Sequence, residues 1–180
     1  MALILITGPS RSGKSAWAEG LAQRTTQPIT YIATAVHNLE DPEWEARVAQ
    51  HQQRRPASWK VLELNRELIS YLQQQQEDST SCLLIDSLGT WLASWLEESE
   101  EHWQPIVTAF TEAITNYQGT VILVSEEVGW GVVPVYPMGR LFRDRLGTLN
   151  QTLAVRAKEA YLVVSGYALD LKKLGIPTQM

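Results

Sequence analysis

Short apolar runs recur along the chain, with amphipathic stretches between them. The runs fall at 3–7, 29–33, 60–64, 82–85, 120–124 and 161–165, and each has the length of a strand. Several are apolar at nearly every position and do not alternate. Strands of a parallel sheet covered on both faces read this way. Helical periodicity occupies 14–24, 43–54, 66–76, 89–97, 102–117 and 140–158. In the last of these, Phe142, Leu146, Leu149 and Leu153 make one apolar stripe, while Arg143, Asp144, Asn150 and Gln151 lie off it. The alternation predicts an α/β fold, a mostly parallel sheet flanked by helices.

No internal repeat interrupts this order. The polar run from Gln73 to Ser81 reads as a fraying helix end and a solvated loop. The acidic cluster from Glu97 to Glu101 reads as a surface loop entering a helix N-terminus, where negative charge is favoured. The 180 residues suit one domain, 1–180.

Composition narrows the function classes. With 44% apolar and 19% charged residues, the chain is neither disordered nor fibrous. A formal net charge of −5 speaks against non-specific nucleic-acid binding, so no nucleic-acid partner is expected. The single cysteine, Cys82, excludes an internal disulfide and a multi-cysteine zinc site. Its place in an apolar run predicts a core side chain. The apolar start, Met1 to Thr7, has no basic region before it and enters a glycine-rich turn, so it reads as a strand. No run approaches the ~18 apolar residues of a membrane span. A cytoplasmic protein is expected.

Gly8-Pro9-Ser10-Arg11-Ser12-Gly13-Lys14-Ser15 matches the phosphate-loop pattern G-x-x-x-x-G-K-[ST] in full. A predicted strand precedes it and a predicted helix follows. Glycines allow a turn tight enough for successive backbone N–H groups to point inward at phosphate oxygens. The helix adds the positive end of its dipole. Lys14 supplies a point charge to the β/γ-phosphates, and the Ser15 hydroxyl can ligate Mg²⁺. Cys82-Leu83-Leu84-Ile85-Asp86 is an apolar strand ending in a carboxylate, which suits the Mg²⁺ shell. Asp86 can equally cap the helix that follows.

Arg47, His51, Arg54 and Arg55 form a second informative group, with Pro56 disfavouring helix at Arg55. On a helix, Trp44, Val48 and His51 share one side. Guanidinium groups nearby hold the imidazole neutral, and therefore nucleophilic. They also neutralise a phosphate under attack. A histidine nucleophile would split one transfer into two steps through a phosphoramidate. A surface helix with an ordinary histidine and solvated arginines fits the spacing as well. His37 lies in a loop and His102 in an acidic helix start, and both suit solvent or structural roles.

Four segments together resemble the bifunctional adenosylcobinamide kinase/adenosylcobinamide-phosphate guanylyltransferase family of cobalamin biosynthesis. They are the loop from Thr7 to Ser15; Tyr31-Ile32-Ala33-Thr34-Ala35; Arg47-Val48-Ala49-Gln50-His51 with Arg55-Pro56 and Trp59; and Glu127-Val128-Gly129-Trp130-Gly131-Val132-Val133-Pro134 with Arg140, Phe142-Arg143-Asp144, Gly147 and Asn150-Gln151. The match runs to about Gly166. The chain departs from the family pattern at Pro9, Gln52, Ser94 and the stretch from Val135 to Gly139.

The resemblance implies a P-loop NTPase-type (RecA-like) fold and two reactions. The hydroxyl of adenosylcobinamide is phosphorylated with ATP or GTP. GMP then passes from GTP through a covalent GMP-histidine at His51, giving adenosylcobinamide-GDP. It further implies that Ala33, Thr34, Ala35, Gln52, Gln53, Arg54, Arg55, Glu63 and Asp86 contact GTP beside the loop residues Gly8 to Ser15, and that the protein is a homotrimer. A plain P-loop small-molecule kinase or a nucleotide-dependent switch, each with an inert His51, are the competing readings. The Asn-Lys-x-Asp motif of regulatory GTPases is absent.

Overall fold

The computed structural model describes residues 2–35, 55–75 and 80–178. The predicted helix at 43–54, with Arg47, His51, Gln52, Gln53 and Arg54, lies outside the described residues.

The strands are β1 (Ala2–Thr7), β2 (Ile29–Ala33), β3 (Lys60–Glu63), β4 (Cys82–Asp86), β5 (Thr120–Val124), β6 (Glu159–Val164) and β7 (Tyr167–Asp170). They form one sheet in the order β3-β2-β4-β5-β1-β6-β7. All neighbours run parallel except β7, which pairs antiparallel with β6. The described helices are α1 (Lys14–Gln23), α2 (Leu68–Gln74), α3 (Leu88–Ala93), α4 (Glu100–Asn116), α5 (Pro137–Arg156) and α6 (Leu171–Leu174).

The non-alternating strands are central. Leu3 to Ile6 of β1, Cys82 to Ile85 of β4 and Val121 to Val124 of β5 are all buried. Side chains point alternately to the two faces of a strand, so each strand feeds two cores. Leu3, Leu5, Leu83, Ile85, Val121 and Leu123 meet α3, α4 and α5 on one face. Ile4, Ile6, Leu84, Ile122 and Val124 meet Ala18 and Ala22 of α1 on the other, with Cys82 buried among them. On the first face Trp91 stacks on Phe110, with centroids 4.1 Å apart.

Caps explain where the helices begin. Ser87 caps α3 in a reciprocal box with Thr90. Ser99 caps α4, whose first turn carries Glu100 and Glu101. Several boundaries move from their predicted places. The stretch predicted at 89–97 is helical only from Leu88 to Ala93. Helix α4 starts at Glu100, because Ser99 supplies the cap. Helix α5 starts at Pro137, whose fixed φ suits a first helical position and whose missing N–H needs no partner there. The edge pair β7 and α6 was not predicted.

The loop entering β4 is tied down by Tyr117. Its hydroxyl lies 2.6 Å from Ser81 Oγ and donates to the Ser81 carbonyl at 3.1 Å. Tyr117→Phe is expected to lower unfolding free energy by about 1 kcal/mol. Urea titration followed by tryptophan fluorescence measures it.

Candidate functional site

The sheet order determines which residues meet. The phosphate loop follows β1 and Asp86 ends β4, and β5 runs between these two strands. Ligands of open α/β sheets bind beyond the carboxyl ends of the strands. Three turns therefore face one place: the loop from Gly8 to Lys14, the turn at Asp86 and Ser87, and the turn at Ser125 and Glu126.

The phosphate loop has the geometry its glycines allow. A Cβ on Gly8 would stand 2.2 Å from the Val163 carbonyl oxygen, so only glycine fits beside β6. Gly13 has φ 98°, a conformation that L side chains rarely adopt, and it delivers the chain into α1. Ser12 N–H donates to the Pro9 carbonyl at 3.4 Å, and Gly166 N–H donates to Ser12 at 3.1 Å. Lys14 Nζ rests on the Pro9 carbonyl at 3.4 Å, a long and weak bond that a phosphate can displace.

Lys14 and Ser15 line a cleft of about 400 Å³ with Ala33, Ala35, Arg55 and Asp86. All six are residues the sequence singles out. Tyr31, Ser87, Gly89, Thr90, Ala93, Glu126, Val128 and Phe142 also line it. Thr34 does not line the cleft. It is fully buried, and its hydroxyl donates to the Ser87 carbonyl at 2.6 Å and accepts from Ser87 N–H at 2.8 Å. This clasp holds the end of β2 against the turn after Asp86. Glu63 is exposed at the end of β3, opposite Ala33 in register, and is not part of the cleft wall. Asp86 is not the cap of α3, since Ser87 fills that role.

Asp86 is oriented by Tyr31, whose hydroxyl donates to Asp86 Oδ2 at 3.1 Å. The Arg55 guanidinium lies 3.5 Å from the centre of the Tyr31 ring. Burial, with the Asp86 charge, holds the Tyr31 hydroxyl well above the ordinary phenol range, so Tyr31 remains a donor. Arg55, the first residue described after 35, lines the cleft.

Glu126 had no place in the sequence reading. It ends up between Lys14 and Asp86 because β5 inserts between β1 and β4. Its Oε2 accepts from Gly89 N–H at 3.0 Å. The turn that carries it is held by Asn150, which accepts from Ser125 Oγ at 2.6 Å and donates to the Glu126 carbonyl at 3.2 Å. Asn150 lies off the apolar stripe of α5 as predicted, yet it is buried, because this pair of bonds satisfies it.

Burial raises the Glu126 carboxyl above its usual range and Asp86 reinforces the shift, against the Ser87 hydroxyl, the Lys14 charge and the Gly89 N–H. The folded protein therefore binds this proton more tightly than the unfolded chain. The resulting stabilisation is full below the ordinary carboxylate range and is lost as pH rises through the raised value. Glu126→Gln, fixed in the neutral form, is expected to melt above the parent near pH 8. The gain should vanish below about pH 4. Melting curves across this range check the sign, at about 2–4 °C for each kcal/mol.

A metal site can be tested against the donors present. No cluster of three or more His, Cys, Asp or Glu side chains that could hold a metal occurs among the described residues. Mg²⁺ needs no such cluster, since it takes one or two protein oxygens and completes its shell with phosphate and water. Ser15 and Asp86, on the same wall as Lys14, fit that requirement.

A family model described as "Cobinamide kinase / cobinamide phosphate guanyltransferase" (CobU) matches residues 4–171. The chain is 38% identical over 169 residues to the bifunctional adenosylcobalamin biosynthesis protein CobP of Pseudomonas aeruginosa, covering 93% of this chain and 96% of that protein. It is 34% identical over 184 residues to CobU of Salmonella typhimurium, covering 94% and 99%. Among solved structures, the RadB recombinase superposes with a TM-score of 0.53 at 15% identity, over 89% of this chain and 73% of that one. That likeness is one of fold, a mostly parallel sheet flanked by helices.

Proposed function

The chain belongs to the cobinamide kinase / cobinamide phosphate guanyltransferase family, and from that premise we propose how its residues divide the two reactions. Its function is that of a bifunctional transferase of cobalamin biosynthesis. The observation that carries the residue assignment is the common cleft of Lys14, Ser15, Asp86 and Arg55.

In the kinase reaction, the amides of the loop from Gly8 to Ser15 and the Lys14 ammonium hold the triphosphate of ATP or GTP. Ser15 and Asp86 would hold Mg²⁺, which supplies charge neutralisation to the β/γ-phosphates when bound. The acceptor hydroxyl of adenosylcobinamide bonds to the γ-phosphorus as the bond from that phosphorus to the bridging oxygen breaks. The nucleoside diphosphate leaves. Glu126, on the wall between Lys14 and Asp86, takes the hydroxyl proton.

In the guanylyl reaction, a ring nitrogen of His51 attacks the α-phosphorus of GTP and pyrophosphate leaves. The phosphate of the phosphorylated corrinoid then attacks the GMP-histidine, giving adenosylcobinamide-GDP and free His51. Arg55 supports this reading. It lies in the cleft four residues beyond His51, and four residues of chain span at most about 14 Å. Gln52, Gln53 and Arg54 lie between them in sequence, and with Ala33 and Ala35 are the remaining proposed GTP contacts, while Thr34 acts through its clasp on Ser87 and Glu63 stays off the cleft wall.

Intact mass after incubation with GTP and Mg²⁺, without acceptor, tests the proposal. A gain of one GMP is expected. GTP binding without any gain would sink the His51 nucleophile and leave a plain kinase or a switch.

The same premise extends to a cytoplasmic homotrimer. Trp130, Val132, Val133, Val135 and Tyr136 form an exposed apolar run suited to a subunit contact. No helix among the described residues is long and apolar enough to cross a membrane. Sedimentation equilibrium is expected to give three times the 20.3 kDa of the chain.

A further inference from the structure

A second cleft, of about 410 Å³, opens between the turn after β5 and one side of α5. Glu126 and Val128 line both this cleft and the phosphate cleft. They form the wall the two share. A ligand seated in the second cleft therefore lies beside Lys14 and Ser15.

The charges differ between the two. Among the described residues the second cleft carries Glu126, Glu127 and Asp144 against Arg143 alone. Such a balance repels a triphosphate. It suits an uncharged or cationic ligand rich in groups that both donate and accept hydrogen bonds. Carboxylates accept from primary amide N–H, and a guanidinium donates to amide carbonyls.

Two further observations indicate that the cleft is kept for a ligand. Arg143 Nη1 is buried without a hydrogen-bond acceptor among the described residues. Buried donors are seldom left so, and an acceptor from outside the chain completes this one. Gly147 lies in the interior of α5, where glycine weakens a helix. Nothing in the fold calls for it. Among the described residues a Cβ at Gly147 meets no atom within 4 Å, and its φ lies outside the range that favours glycine. The space a side chain would take there is the cleft itself.

The geometry points to this cleft as the acceptor subsite, holding one amide-bearing edge of the cobinamide so that its hydroxyl arm passes Glu126 toward the phosphate loop. The assignment rests on the bifunctional reading above and adds to it the place where the acceptor binds. Cobinamide carries primary carboxamides around its macrocycle, which is the chemistry that Arg143, Asp144, Glu127 and Gln151 can meet. The macrocycle is far larger than the cleft, so only an edge is enclosed.

Equilibrium dialysis of cobinamide against the full chain, read by its visible absorbance, tests the assignment. Gly147→Trp fills the cleft while favouring the helix, and Arg143→Ala removes the unpaired donor. Each is expected to weaken cobinamide retention tenfold or more and to raise the KM for cobinamide by the same factor, while the KM for GTP stays within twofold of the parent. GTP-dependent mass gain in the same variants shows that they fold. Cobinamide bound equally by the parent and both variants would overturn the assignment. So would a change in oligomeric mass with unchanged retention, because the cleft would then be a subunit contact. The outcomes separate from failure of the functional reading. That failure shows as a parent protein with neither GMP adduct nor turnover, whatever its cobinamide retention.

Discussion

His51→Ala is expected to form no GMP adduct and no adenosylcobinamide-GDP, yet to keep phosphorylating adenosylcobinamide within a few-fold of the parent rate. The reason is a separation of parts. Kinase transfer is mostly positioning and charge stabilisation, and the groups assigned to it, Lys14, Ser15, Asp86 and Glu126, share one cleft wall. Covalent transfer needs a nucleophile, and among the described residues no histidine or cysteine lines the cleft to replace it. His102 is exposed on α4, with Nδ1 3.9 Å from Glu98, and does not line the cleft. Cys82 is buried in the core, where desolvation pushes its thiol up to about 11. Mass spectrometry of the protein and chromatography of the corrinoid products read the two steps separately. Loss of both steps together would show that His51 also serves the kinase. Retention of the adduct would place the nucleophile elsewhere.

The sequence alone revealed the parts of this site whose residues are adjacent in the chain. The loop from Gly8 to Ser15 is recognisable because the strand, the turn and the helix dipole are consecutive. Asp86 is recognisable because an apolar strand ends on it, although sequence left its capping alternative open; Ser87 as the cap of α3 removes that alternative. Glu126 is different. Nothing in Val124-Ser125-Glu126-Glu127 shows that β5 inserts between β1 and β4, since strand order depends on pairing between distant segments. Tyr31 lay inside a segment noted for resemblance, but its bond to Asp86 follows only from the register of β2 on β4. The missed strand β7 did have a local signal. Ser165 and Gly166 have φ of 51° and 80°, values suited to a two-residue hairpin turn. A Ser-Gly pair after an apolar strand is such a turn. The strand beyond it is short and half-exposed, too weak a period to stand out.

Lys14→Ala should lower both reactions, and this pattern sets it apart from His51→Ala. The described residues contain one phosphate loop, so the triphosphate that donates a γ-phosphoryl group and the one that loses pyrophosphate engage the same ammonium. In the kinase step, charge develops on the β–γ bridging oxygen. In the guanylyl step it develops on the departing pyrophosphate. Removing a single preorganised donor aimed at such charge lowers turnover by about 10²–10³. Among the described residues the Lys14 ammonium bonds to the Pro9 carbonyl and makes no ion pair with a carboxylate. The substitution is therefore expected to leave the fold intact. Ser15 and the loop amides remain, so GTP still binds, more weakly. Single-turnover assays of corrinoid phosphorylation and the rate of GMP adduct formation measure the two effects. A fall in the kinase alone would mean that pyrophosphate departs from a second phosphate site, and the one-cleft assignment would have to be abandoned. Equal falls in both would tie the two chemistries to the turn between β1 and α1.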